Sequence, residues 1–180
     1  MKPINLPSQV RLHVNFEPGN TEGFVECDVQ DYELYKDRGM AIIKSALTIE
    51  SLMNYVLKMT FFREVKSDRE FVCGHLLESD KLTFAAKRKL LQATLERDET
   101  LDKQSRKKLD KALFTVAQYR NAFAHGNISA AKDKYLLRYF SSTQREEELN
   151  ETFWTKLEVA FNHSSDLLSE IMSKHSGNSA

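Results

Sequence analysis

Residues 41–57, AIIKSALTIESLMNYVL, carry the clearest apolar pattern in the chain. Apolar residues recur here at spacings of three and four, the period of one face of an α-helix. The stripe consists of Ile42, Ala46, Ile49, Met53 and Val56, and it is widened by Ile43, Leu47 and Leu57. This pattern predicts a helix from about Asp31 to Phe62 at the centre of a mainly α-helical core.

The composition fits one domain that is rich in helices. The chain has 180 residues, of which 41% are hydrophobic, enough for a single sizeable core. It has only 6 glycines and 3 prolines, so an all-β fold with many turns is disfavoured. Because the formal net charge is +0, binding of a polyanion would need a local basic patch.

Nothing in the sequence indicates export, a membrane partner or a metal. The N-terminal residues lack the apolar segment of a signal peptide, and no apolar run approaches the roughly 20 residues of a membrane span. Cys27 and Cys73 lie far apart and neither belongs to a CxxC pair, so we expect reduced thiols rather than a zinc site. We therefore expect a cytoplasmic protein that uses no cofactor.

The chain divides into three predicted segments: a β-hairpin extension at 1–30, a helical domain at 31–175 and a disordered tail at 176–180. In the first, apolar and polar residues alternate from Val10 to Phe16, and a second short strand is predicted from Phe24 to Val29. Residues 17–20 between them have the composition of a turn.

A short helix is predicted at 70–77, and three longer helices are predicted at 81–97, 102–124 and 151–174. Ser79 or Asp80 is expected to cap the first of the longer helices, and Asn150 the last. Two strands at 135–142 and 144–149 precede the last helix and form a hairpin. Three consecutive glutamates, 146–148, are expected near its tip.

The helix predicted at 102–124 ends in YRNAFAHG, residues 119–126. Arg120 continues the apolar row that contains Val116, and Asn121 and His125 continue the neighbouring row. A guanidinium at such a position needs an anion or a cleft, because burying an unpaired charge is costly. Gly126 and Asn127 both tolerate the left-handed conformation that commonly ends a helix.

The three polar residues have the chemistry needed to act on a phosphodiester. Asn121 and His125 are one turn apart, and the long side chain of Arg120 can reach the same cleft. A cation can neutralise phosphate oxygens while an imidazole moves a proton. One histidine cannot easily serve as acid and base on opposite sides of a phosphorus atom, so a two-fold dimer would be needed to bring two motifs together.

A purely structural interpretation of the same residues remains open. Arg120 could pair with Glu50 or another buried acid, Asn121 could bond to the backbone and His125 could cap the helix. Lys103, Lys107 and Lys111 recur every four residues and share one face, which is either solvated or a phosphate-binding ridge.

At Arg120, Asn121 and His125 the sequence resembles the HEPN superfamily (higher eukaryotes and prokaryotes nucleotide-binding). Its signature is an arginine followed four to six residues later by histidine, often with asparagine directly after the arginine. The ending Ala124-His125-Gly126 also matches a common form. The resemblance covers the helical part, roughly Asp31 to Lys174.

The resemblance implies a four- or five-helix bundle that forms a homodimer with paired motifs. Active members cleave RNA without a metal and leave a 2′,3′-cyclic phosphate, often in toxin–antitoxin or antiphage systems. Arg120, Asn121 and His125 would be catalytic, Tyr119 and Glu50 would support them, and the lysine ridge would bind RNA. The alternative is a non-catalytic dimeric module that binds a nucleotide or a protein partner such as an antitoxin.

Overall fold

The computed structural model describes residues 9–14, 23–61, 71, 73–79, 81–131 and 134–177. This part of the chain is mainly helical and contains two small antiparallel sheets. The four α-helices are α1 (Val29–Phe61), α2 (Phe84–Arg97), α3 (Lys103–His125) and α4 (Glu151–Gly177). The strands are β1 (Gln9–Val14), β2 (Gly23–Asp28), β3 (Asn127–Ala131), β4 (Lys134–Ser141) and β5 (Thr143–Glu148).

The chain forms two compact units, and each is discontinuous in sequence. One comprises Met1–Ile43 and Arg120–Thr155, and we call it the sheet unit because it holds all five strands. The other comprises Lys44–Tyr119 and Lys156–Ala180, and we call it the helical unit. The helices α1, α3 and α4 each contribute residues to both.

The helical unit is built around the stripe that the sequence predicts. Ala46, Ile49, Met53 and Val56 are buried on α1, whereas Leu47 is 49% exposed and does not widen the stripe as expected. The other helices of this unit present leucines to the same core, together with Val116 and Ile171. The leucines are Leu91 and Leu95 from α2, Leu109 and Leu113 from α3, and Leu168 from α4.

By length and composition, α1 also meets the criterion for a membrane span. An 18-residue window within Tyr32–Phe61 has a mean hydropathy of 1.2, and 28% of that window is buried. The expectation that no apolar run approaches a span is therefore wrong for this helix. Core helices of soluble proteins meet the same criterion, so it does not identify a membrane protein.

The helix starts are set by side chains that accept backbone hydrogen bonds. Asn150 caps α4, as predicted, because its Oδ1 accepts from the Phe153 amide at 3.0 Å. Ser79 was the wrong cap for α2, which begins later: the Thr83 hydroxyl accepts from the Ala86 amide at 3.2 Å. The alternative cap, Asp80, lies outside the described residues, as does the turn predicted at 17–20.

The sheet unit contains the predicted hairpin and one strand that was not predicted. β1 pairs with β2 in an antiparallel register that places Leu12 opposite Val25, which confirms the hairpin. β3 was missed, and it extends the β4–β5 hairpin to three strands. The glutamates 146–148 are not near the tip, which is at Ser142; they lie opposite 136–138, because β5 pairs along β4 from Thr143 onward.

The predicted tail at 176–180 only partly matches the structure. α4 continues to Gly177, and residues 178–180 lie outside the described part of the chain.

Candidate functional site

The polar motif lies at the C-terminal end of α3, in the sheet unit. Gly126 closes the helix by donating its amide to the Ala122 carbonyl at 2.8 Å, and β3 begins at the next residue. The predicted left-handed ending is wrong, since neither Gly126 nor Asn127 has a positive φ. Glycine is required here for space: a Cβ atom would lie 2.3 Å from the Ala122 oxygen and 2.7 Å from the Arg138 oxygen.

The motif side chains are more accessible than the apolar rows predict. Arg120 is half-buried, and Asn121 and His125 are exposed. The buried row continues from Val116 by a step of three to Tyr119, which is 0% exposed, and then to Ala122. Steps of three and four both occur along a helix face, because its period is 3.6 residues. The expectation that Asn121 and His125 avoid the solvent side is therefore wrong.

The three motif side chains have no polar partner in the described part of the chain. No hydrogen bond or ion pair reaches the Arg120 guanidinium, the Asn121 amide or the His125 ring there. The Glu50 carboxylate is paired instead with Lys87, at 2.5 Å, and the Lys87 side chain is only 3% exposed. The structural interpretation of Arg120 as the partner of Glu50 is therefore not what the structure shows.

Tyr119, the other supporting residue, packs inside the helical unit. Its hydroxyl accepts a hydrogen bond from Lys156 Nζ at 2.6 Å, and the Lys156 ammonium lies 4.9 Å from the centre of its ring. These contacts join α3 to α4. Because Tyr119 is fully buried, it can stabilise the helix that carries the motif but cannot touch a ligand in solvent.

An aromatic cluster holds the motif end of α3 in the sheet unit. The Phe123 ring stacks on Trp154 with centres 6.0 Å apart, and Phe153 meets the edge of Trp154 at 5.1 Å. Gly39 allows α1 to approach closely, because a Cβ atom there would lie 2.7 Å from Phe123 Cδ1. Phe123 thus anchors the end of α3 in the aromatic cluster, while Asn121 and His125 are exposed.

His125 lines a pocket of about 450 Å³ whose other lining residues come from the neighbouring strands. They are Gly126, Asn127, Arg138, Tyr139, Phe140 and Gln144. Phe140 lies directly opposite Gln144 in the β4–β5 pairing, and Arg138 lies opposite Asn127. Sequence reasoning missed this pocket, although the alternation along 135–142 places Arg138 and Phe140 on one face of the strand.

The predicted lysine ridge lines a second, separate cavity in the helical unit. This groove between α2 and α3 has a volume of about 490 Å³. Its lining residues include six cations and two anions: Arg88, Lys89, Lys103, Arg106, Lys107 and Lys111, with Glu96 and Asp110. The predicted sharing of one face by Lys103, Lys107 and Lys111 is therefore confirmed.

Two of the six groove cations, both arginines, have polar partners within the helical unit. Arg88 pairs with Asp110 at 3.5 Å, and Arg106 donates to the Leu95 carbonyl at 3.3 Å. The four lysines of the groove have no ion pair with any described residue. Gln92 also lines the groove, but its Nε2 atom is buried and has no hydrogen-bond acceptor among the described residues.

Comparison with known proteins finds no match: no family model, no curated protein and no solved structure matches the chain. The resemblance to the HEPN superfamily therefore rests on the motif residues themselves. Among the described residues there is also no group of three or more His, Cys, Asp or Glu side chains that could hold a metal ion.

Proposed function

We propose that this protein is a metal-independent endoribonuclease of the HEPN type. The observation that carries the proposal is the state of the motif: a half-buried guanidinium, an amide and an imidazole lie at one helix end without polar partners in the described part of the chain. A guanidinium that has no internal counterion and is still accessible can form charge-assisted hydrogen bonds with an anion from a ligand or another chain. A phosphodiester would supply it.

Each motif residue has a distinct role in the proposed reaction. Arg120 binds the non-bridging phosphate oxygens and stabilises the charge that develops on them. His125 transfers a proton, either from the attacking 2′-hydroxyl or to the leaving 5′-oxygen. Asn121 is one helical turn from His125 and orients its ring or the 2′-hydroxyl. Attack of the 2′-oxygen on phosphorus breaks the bond to the 5′-oxygen and leaves a 2′,3′-cyclic phosphate.

The proposed reaction takes place in a homodimer, since one imidazole cannot easily act on both sides of the phosphorus. Support for a dimer comes from α1, where Met40, Leu47 and Tyr55 are between 44% and 49% exposed. Their spacings of seven and eight residues place them on one helix face. If the dimer forms the site, the cleavage rate per subunit should fall on dilution in parallel with the dimer fraction measured by analytical ultracentrifugation.

The groove between α2 and α3 is proposed to hold the RNA backbone. Its four lysines, which have no ion pair with any described residue, create a local positive field on a protein with no net charge, and polyanion binding depends on the local field.

The test is cleavage of single-stranded RNA by the purified full chain in EDTA. Loss of a general acid or base lowers a rate by about 10²- to 10⁴-fold, so His125→Ala should reduce cleavage by that factor, and Arg120→Ala by a similar one. His75→Ala is the matched control, because His75 is also exposed but lies in the π-helical turn Cys73–Leu77. Equal rates for the wild type and all three variants would refute the proposal.

The second candidate is a non-catalytic dimeric module that binds a protein partner. The exposed apolar face of α1 favours it, because a cluster of such residues commonly marks an interaction surface. A protein that dimerises through α1 but leaves RNA intact would fit this candidate instead.

A further inference from the structure

The strand face beside His125 carries a set of side chains that the catalytic motif does not use. Asn127, Arg138, Phe140 and Gln144 belong to three adjacent strands, and directly paired residues of antiparallel strands project from the same side of a sheet. All four also line the pocket that contains His125. The pocket thus combines an aromatic ring and two amides with the proposed catalytic imidazole.

Phe140 is the most unusual member of this face. It is 79% exposed, the highest value among the exposed large hydrophobic residues in the described part of the chain. Its neighbour Tyr139 points to the opposite face of the strand and is only 6% exposed, so the rest of the sheet unit covers that face and leaves the Phe140 face open. An exposed ring beside amide groups suits a ligand that is flat, apolar on its faces and polar at its edges.

The electrostatics of the pocket favour an uncharged ligand group. Arg138 Nε donates to Glu146 at 2.5 Å, so its charge is already balanced by a carboxylate on the same face. A phosphate would therefore gain little from Arg138. A nucleobase, in contrast, needs a stacking surface and hydrogen-bonding partners rather than a net charge.

We propose that this pocket binds one base of single-stranded RNA, stacked on Phe140, with the Gln144 amide bonded to the edge of the base. This inference rests on the proposed function, because it places the base next to the phosphate on which His125 acts. It also selects the substrate class. A base paired and stacked within a duplex presents no free face to the ring, so the pocket requires an unpaired nucleotide.

The test measures RNA binding separately from cleavage, in the His125→Ala background so that the RNA stays intact. Single-stranded RNA that contains 4-thiouridine is bound, photo-crosslinked and mapped by mass spectrometry, and its affinity is measured by fluorescence anisotropy. We expect crosslinks on the β4 peptide and about tenfold weaker binding for Phe140→Ala. Phe140→Trp should restore affinity, and the same RNA annealed to its complement should give no β4 crosslink.

Phe71→Ala is the matched control, since Phe71 is 66% exposed and lies outside the pocket. It should bind RNA as the parent does. If Phe140→Ala also binds as the parent does, or if crosslinks map away from β4, the base pocket is refuted. If the base pocket is refuted but the wild type still cleaves RNA in EDTA, the proposed function stands. A Phe140-dependent crosslink without any cleavage by the wild type would instead refute the nuclease and leave an RNA-binding pocket.

Discussion

Replacing Gly126 with alanine should damage both the fold and the motif, because the added methyl group has no room. The new Cβ atom would lie 2.3 Å from the Ala122 oxygen, about 1 Å closer than the 3.4 Å at which ordinary contact begins. It would also lie 2.7 Å from the Arg138 oxygen. Both obstacles are backbone atoms, so the end of α3 or the middle of β4 must shift.

The size of the effect follows from what that shift disrupts. The Ala122 oxygen also accepts the 2.8 Å hydrogen bond from the Gly126 amide, and a hydrogen bond contributes about 1 kcal/mol net. Overpacking adds about 1–3 kcal/mol. We therefore expect Gly126→Ala to lower the free energy of unfolding by about 2–4 kcal/mol. It should also reduce RNA cleavage, since His125 immediately precedes the displaced residue.

Urea unfolding followed by circular dichroism measures this effect. Gly74→Ala is the control, because nothing lies within 4 Å of a Cβ atom built at Gly74. Its stability should stay within about 1 kcal/mol of the wild type, given the range of such changes at unstrained sites. If Gly126→Ala unfolds at the same urea concentration as the Gly74→Ala variant, the close approach of β4 to the helix end is not as described.

Three further predictions concern the buried ion pair, a helix cap and the basic groove. Glu50→Leu leaves the buried Lys87 ammonium without its carboxylate and should lower the free energy of unfolding by about 3 kcal/mol. The Glu50→Leu/Lys87→Met double variant should recover most of that loss, as a double-mutant cycle completed with Lys87→Met would show by urea unfolding. Asp102 caps α3, because its Oδ1 accepts a hydrogen bond from the Ser105 amide at 3.0 Å. The Ser105 hydroxyl and amide hold the pKa of Asp102 below its ordinary value, so its stabilising contribution is complete at neutral pH and is lost as the pH falls through that lowered pKa. The stability difference between wild type and Asp102→Asn, measured by urea unfolding, should therefore be constant near neutrality and shrink below about pH 3.9. Replacing Lys103, Lys107 and Lys111 together with glutamate should weaken single-stranded RNA binding and reduce the slope of log K against log salt by about 2, whereas Lys108→Glu, on the same helix but outside the groove, should change it little.

The long elements were predictable because their apolar periods are strong. α1 was expected from about Asp31 and begins at Val29, and α4 begins at Glu151 as predicted. β3 was missed because its sequence, NISAA, has only one large apolar residue and therefore no alternating pattern. The segment becomes a strand because it pairs with β4. The wrong cap at Ser79 has a similar cause: Ser79, Asp80 and Thr83 are all good cap residues, and only the packed helix selects among them.

The motif was found from sequence, but its surroundings were not. Residue spacing places Asn121 near His125, yet it does not decide whether the buried row steps from Val116 to Tyr119 or to Arg120. Packing makes that choice in favour of Tyr119. The pocket beside His125 was equally hidden, because most of its side chains lie 13 to 19 residues later, on β4 and β5, and meet His125 only through the pairing of β3 with β4 and of β4 with β5.

The most direct test of the nuclease proposal is the chemical identity of the RNA ends that the full chain produces in EDTA, determined by mass spectrometry. The proposal predicts fragments that end in a 2′,3′-cyclic phosphate, formed by the wild type and by His75→Ala but not by His125→Ala or Arg120→Ala. Intact RNA, fragments that end in a 3′-hydroxyl, or the same fragments from the His125→Ala variant would contradict it.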